Sequence, residues 1–226
     1  MPDLSEAGHL PQQRPDRGPA DPDELPRQRR GTTPQMHGRY PDYDVLENRD
    51  HWDAVTREVV MARVEAVPQI RFFTPQEEAP LRAFCDRVMA QDREPKIPVL
   101  ELVDDKLHAG RLDGFQHAGM PDDRDTWRRV ARELGSFHEL SWDEQGELCE
   151  RFSKGELDFG DMDCSKAWGV VMRGILQSFY AHPWAWNEIG FGGPAYPRGY
   201  SRLGFGRIEA WEGQEAFQRD PVTEGS

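Results

Sequence analysis

The chain has 226 residues, a formal net charge of −13, a pI near 5.0 and a mean hydropathy of −0.81. With no sustained Lys/Arg run against that acidic field, a phosphate backbone is repelled, which argues against nucleic-acid binding. No stretch approaches the ~20 apolar residues that span a bilayer, and no apolar leader opens the sequence, so the expectation is cytoplasmic residence without a membrane span.

Residues 1–48 hold eight of the eighteen prolines and almost no apolar cluster. Such a segment buries too little surface to offset its ordering entropy and reads as a flexible arm. Its end, from Arg39 to Leu46, carries Tyr40, Tyr43, Val45 and Leu46. That end reads either as a strap lying on the body or a partner, or as more of the tail.

The helical domain spans residues 49–205. From Asp50, the residues Trp52, Val55, Val59, Ala62 and Ala66 recur at three- and four-residue spacing. They predict an amphipathic helix with that face inward, ended by Pro68. Thr74-Pro75-Gln76-Glu77 opens a second helix with an N-cap, a proline at N1 and a capping-box glutamate. Its stripe is Leu81, Phe84, Cys85, Val88 and Met89. A third helix follows Pro98 through Leu100, Val103 and Leu107, with Gly110 as its stop.

Residues 111–121 read as a loop. A fourth helix runs from about Asp122 to Leu134, burying Trp127, Val130 and Leu134. Ser141-Trp142-Asp143-Glu144 is a second capping box, opening a helix with Leu148, Cys149 and Phe152 inward. Ser165 is the expected cap of the last long helix, which buries Trp168, Val171, Met172, Ile175, Leu176 and Phe179 and closes at Pro183. The prediction is an all-α fold, a compact bundle of about six helices, with an irregular aromatic segment after it and a tail over residues 206–226.

Motifs for chemistry are missing. There is no Gly-x-Gly-x-x-Gly after a strand, no Walker loop, no Gly-x-Ser-x-Gly and no His-Glu-x-x-His. Gly190-Phe191-Gly192-Gly193-Pro194 puts an aromatic and a proline where phosphate-binding amides would line up. Glu156, Asp158, Asp161 and Asp163 lack the order of a calcium loop and read as an acidic lead into a helix. His138 and His108 read as linker and helix-end histidines. Cys85, Cys149 and Cys164 are odd in number and lack zinc spacing, so buried free thiols are expected. A thiol would pair with a partner chain only in an oxidising compartment. No catalytic residue, cofactor site or metal site is expected in this chain.

One segment stands apart. Between residues 179 and 205 lie Phe179, Tyr180, His182, Trp184, Trp186, Phe191, Tyr196, Tyr200 and Phe205, with Arg198 and Arg202 among them and Arg207 just beyond. After Pro183 the stretch reads as an ordered irregular loop, because so much aromatic surface is not left wet. It either folds back as a lid on the chain's own helices or forms a docking surface, and the two readings overlap. Trp, Tyr and Arg are the residues enriched at interface hot spots. The candidate partner-interface residues are His182, Trp184, Trp186, Asn187, Glu188, Phe191, Tyr196, Arg198, Tyr200 and Arg202.

Three motifs resemble the gluconate 2-dehydrogenase subunit 3 (small, or gamma, subunit) family. They are Phe72-Phe73-Thr74-Pro75-Gln76-Glu77-Glu78 with Leu81-Arg82-Ala83, Phe137-His138-Glu139-Leu140-Ser141 with Glu144 and Leu148, and Trp186-Asn187-Glu188-Ile189-Gly190-Phe191-Gly192-Gly193-Pro194. The last is the most specific, and the resemblance covers about residues 70–204. It implies a helical, non-catalytic small subunit that stabilises or matures a GMC-type flavoprotein oxidising a sugar or polyol. The FAD then belongs to that partner, not to this chain. A proline-rich arm stands where family members carry a twin-arginine leader, so export is expected only in company with a leader-bearing partner. Two alternatives remain: a stand-alone sugar isomerase or lyase using His182, Glu188 and Arg198, and a transient cytoplasmic chaperone for the flavoprotein.

Overall fold

The computed structural model describes residues 43–92, 94–111, 114–197, 199–200, 209 and 211–213. Among them every regular element is helical: a 3-10 turn Val45–His51, then α1 Ala54–Glu65, α2 Pro75–Val88, α3 Val99–His108 and α4 Asp123–Leu134. A 3-10 turn Phe137–Glu139 follows, then α5 Trp142–Ser153, α6 Cys164–Tyr180 and α7 Pro183–Ile189. The all-α expectation holds, with seven α-helices instead of about six.

The two capping boxes form as the local sequence dictates. Thr74 and Glu77 satisfy each other's backbone N–H groups at the start of α2, and Ser141 and Glu144 do the same for α5. Asp122 caps α4 by accepting from Asp125 N–H at 2.8 Å. At α6 the cap is Asp163, not Ser165: its carboxylate accepts from Lys166 N–H at 3.0 Å, and the helix therefore begins two residues earlier, at Cys164. With the helix started there, Ala167 N–H already bonds the Asp163 carbonyl and is no longer an orphan donor for Ser165 to cap.

Helix α2 is the hub. It packs against α3, α4, α5 and the Phe137–Glu139 turn, while α6 closes the far side against α3, α4 and α5. Phe84 of α2 meets the rings of Phe137, Phe152 and Trp168 at 5.8, 5.9 and 6.0 Å between centroids. A second ring group, Phe72, Phe73 and Trp127, joins the approach to α2 with α4. That approach is pinned by Asp104 of α3, which is fully buried and accepts from the backbone N–H groups of Arg71, Phe72 and Phe73 at 2.7–2.9 Å. A carboxylate without a buried cation is thereby solvated by three peptide dipoles.

Two elements differ from expectation. Helix α1 starts at Ala54, after the helical pattern's expected onset near Asp50, with Asp53 capping it by accepting from Val55 and Thr56 N–H at 3.0 and 3.1 Å. The face read as inward is outward: Val55 is 69% and Val59 50% exposed, and Val60 is the buried residue of the helix. Periodicity locates an apolar face, but the neighbour decides which face is used, and here α7 takes Val60. Likewise Leu176 of α6 lies exposed although it shares the helix's apolar pattern.

Candidate functional site

The aromatic segment after α6 is not wholly irregular. Helix α6 ends at Tyr180, and Pro183 starts a new helix instead of only stopping the old one. Proline is tolerated at the first helical position because the N–H it lacks is an orphan there anyway. His182 supplies the cap, its Nδ1 accepting from Trp184 N–H at 3.2 Å. The imidazole is 2% exposed, and burial, with the Arg63 guanidinium adding to it, depresses its pKa to about 4 against an opposing hydrogen bond with the Arg63 backbone. His182 is thus a neutral structural cap at physiological pH.

Helix α7 is also a seat for the start of the described chain. Val45 N–H donates to Asn187 Oδ1 at 2.8 Å, and Asn187 Nδ2 donates to Asp44 at 3.2 Å. Val45, Trp52, Val60 and Trp186 form a hydrophobic cluster separate from the main core. Tyr43 and Asn48 reach further, donating to the carbonyl of Trp211 at 3.4 and 3.0 Å, and Tyr43 also to that of Phe191 at 3.2 Å. Tyr43 to Leu46, the described part of the Arg39–Leu46 stretch, therefore follow the strap reading and lie on the body, while residues 39–42 lie outside the described residues.

The glycine pair in Gly190-Phe191-Gly192-Gly193-Pro194 is what lets the seat close. Gly193 has φ +74°, and a Cβ there would lie 2.9 Å from Val45 Cγ2 and 3.1 Å from Trp52 Cζ2. A Cβ on Gly192 would overlap the ring of Trp211. These glycines serve backbone approach between chain segments, in keeping with their failure as a phosphate cradle.

The ten candidate interface residues divide by burial. His182, Trp186 and Asn187 are buried. Trp186 donates from Nε1 to Tyr180 carbonyl at 2.7 Å, and Arg63 of α1 lies 6.0 Å from its ring while donating to the Ala181 carbonyl at the end of α6. Trp184 and Glu188 are half-buried, with Trp184 edge-on to His182 at 4.9 Å. Phe191, Tyr196 and Tyr200 are exposed, at 42%, 69% and 49%. Arg198 and Arg202 lie outside the described residues. The interface candidates left out Tyr180, at the end of α6, and Ile189, the last residue of α7, which are 44% and 49% exposed. Their apolar neighbours on α6 and α7 are buried, so only the fold separates them.

The three thiols are free, with Cys85 and Cys164 buried and Cys149 half-buried. Burial pushes the Cys149 thiol up to about 11 and Cys85 higher still, so neither is a nucleophile near neutral pH. No helix among the described residues is long and apolar enough to cross a membrane.

Comparison with curated proteins and with solved structures gives no match. The family model described as gluconate 2-dehydrogenase subunit 3 matches residues 75–193. The matched span runs from the first residue of α2 through the glycine pair after α7, somewhat inside the span of the sequence resemblance. It contains the bundle, the buried cap at His182 and the seat that receives the strap; over more than half its length, this chain belongs to the gluconate 2-dehydrogenase subunit 3 family.

Proposed function

We propose that the chain is the non-catalytic small subunit of a flavin-dependent sugar or polyol dehydrogenase, docking to a GMC-type catalytic subunit and stabilising or maturing it. The family match carries this reading, since the family is described as a subunit of a dehydrogenase. The site supports it in a particular way. A rigid platform of α7 and its glycine turn, anchored from beneath by Trp186 and Asn187, presents Phe191, Tyr196 and Tyr200 to solvent. Exposed aromatics on a pre-ordered backbone lose little entropy when covered. In this reading the FAD resides in the partner.

The test is co-expression with a GMC-type flavoprotein from the same organism, and purification through a tag on this chain. The wild-type chain is expected to retain a yellow, active flavoprotein. Replacing Phe191, Tyr196 and Tyr200 together with alanine is expected to weaken retention by at least about tenfold, with Tyr196→Ala alone, the most exposed of the three, weakening it while leaving the melting temperature of the isolated chain unchanged. Full retention by the triple variant would refute the assigned surface. Trp186→Ala is a poor probe of docking because it hollows the strap's own cluster.

A further inference from the structure

A cavity of about 230 Å³ opens between α2 and α3 and takes no part in the surface built on α7. Its wall runs from Arg82, Cys85 and Asp86 of α2, through the link at 94–98, to Val99, Leu100 and Glu101 at the start of α3. Gln91, 1% exposed, fixes that link: its side-chain amide donates to the Ile97 carbonyl at 3.2 Å and accepts from Ile97 N–H at 2.7 Å.

Helix α3 enters the wall without a side-chain cap. Pro98 stands at the N-cap position, and the N–H groups of Leu100 and Glu101 find no acceptor among the described residues. Leu100 is 1% exposed, so bulk water does not serve its donor. Glu101 adds the converse need. One of its oxygens, Oε1, accepts from Arg82 at 2.7 Å, while Oε2 is buried with no partner. The unmet groups at this corner are two donors and one acceptor. The charges around them are largely paired off, since Arg82 also holds Glu78 at 2.8 Å and Lys96 holds Asp86 at 2.7 Å. An anion in the cavity would face Glu101 and Glu94, and a cation would face Arg82, Lys96 and the positive end of α3.

We infer that this cavity is a binding site for a small neutral polyol. A hydroxyl brings one proton and two lone pairs, the complement of Glu101 Oε2 and the two N–H groups. Further hydroxyls along the molecule meet the two ion pairs of the wall, each of which offers both a donor and an acceptor. The volume is several times the ~30 Å³ share of one water in the liquid, so a chain of a few hydroxylated carbons fits. The site draws on α2 and α3 and on none of α7, so it stands or falls apart from the docking reading.

The experiment titrates the full isotope-labelled chain with erythritol and reads its backbone amides by NMR. Acetate and ethylammonium are titrated in parallel as an anionic and a cationic probe. Saturating shifts at the Leu100 and Glu101 amides are expected with erythritol and with neither ion. The absence of a saturable shift, or one that either ion produces as well, overturns the assignment. Glu101→Gln keeps an oxygen for Arg82 but turns an amide N–H toward the ligand hydroxyl, and is expected to raise the dissociation constant for erythritol about tenfold. Undiminished binding by that variant, with the amides of α6 showing it folded, overturns the proposal too.

Discussion

Replacing His182 with asparagine separates the two things this residue does. Asparagine is among the best N-caps, so the acceptor for Trp184 N–H is kept while the titrating ring is removed. In the wild type the folded-state pKa is depressed to about 4 from an ordinary 6.5. Above pH 6.5 the imidazole is neutral in both the folded and unfolded chains and its stabilising arrangement is fully present. As the pH falls from 6.5 toward 4, the unfolded chain takes up a proton that the buried cap refuses, and stability drains away. At pH 5 the loss is about 2 kcal/mol, levelling near 3 kcal/mol below pH 4. The smaller asparagine costs roughly 1 kcal/mol of packing at every pH. Urea unfolding of both proteins at pH 7.5 and pH 5 reads the balance. The variant is expected to be the weaker protein at pH 7.5 and the equal or stronger one at pH 5. A stability gap of the same size and sign at both values would show that His182 is protonated in the fold and would refute the buried neutral cap.

Three further outcomes follow from contacts already described. Asp104→Ala leaves the buried N–H groups of Phe72 and Phe73 and the part-buried one of Arg71 without an acceptor and is expected to cost about 3–5 kcal/mol in chemical denaturation. Asp104→Asn, which keeps one oxygen but turns an amide toward donors, should fall between it and the wild type. Gly193→Ala forces a side chain into left-handed backbone and against Val45, and is expected to weaken the strap by about 2–3 kcal/mol. Its readout is hydrogen exchange at Val45 N–H, which should speed up while amides of α2 and α6 keep their protection.

The parts of the fold legible in the sequence were those whose cause is local. Thr74 with Glu77 and Ser141 with Glu144 announce helix starts within four residues, and the structure forms both boxes. The stripes of α2, α3 and α4 lie on helices flanked by neighbours, so periodicity and burial agree. Where the cause is distant the reading failed. Val55 and Val59 carry the right period for burial, yet α7 draws the other face of α1 inward through Val60 and Arg63. Pro183 is an equally good stop and start, and only the capping imidazole of His182 decides for a start. Asp104 and Asn187 look like surface residues in sequence; their partners lie 31–33 and 142–143 positions away. The aromatic segment was rightly singled out, but its split into buried anchors and exposed rings depends on the strap, which local sequence does not place.

That strap also sets an order of events during synthesis. Val45 waits for Asn187, 142 positions later, and Tyr43 for Trp211, 168 positions later. At translation speeds of about 5–20 residues per second, the seat appears on the order of 10 s after the strap leaves the ribosome. Throughout that interval Val45 and Trp52 are apolar side chains with nowhere to go, and the bundle from α2 to α6 must form without them. The seat closes on a segment made more than a hundred residues before it, so an interruption of synthesis between α6 and α7 would leave a helical core carrying a loose, sticky strap. A chain stalled there is the form expected to need chaperone cover.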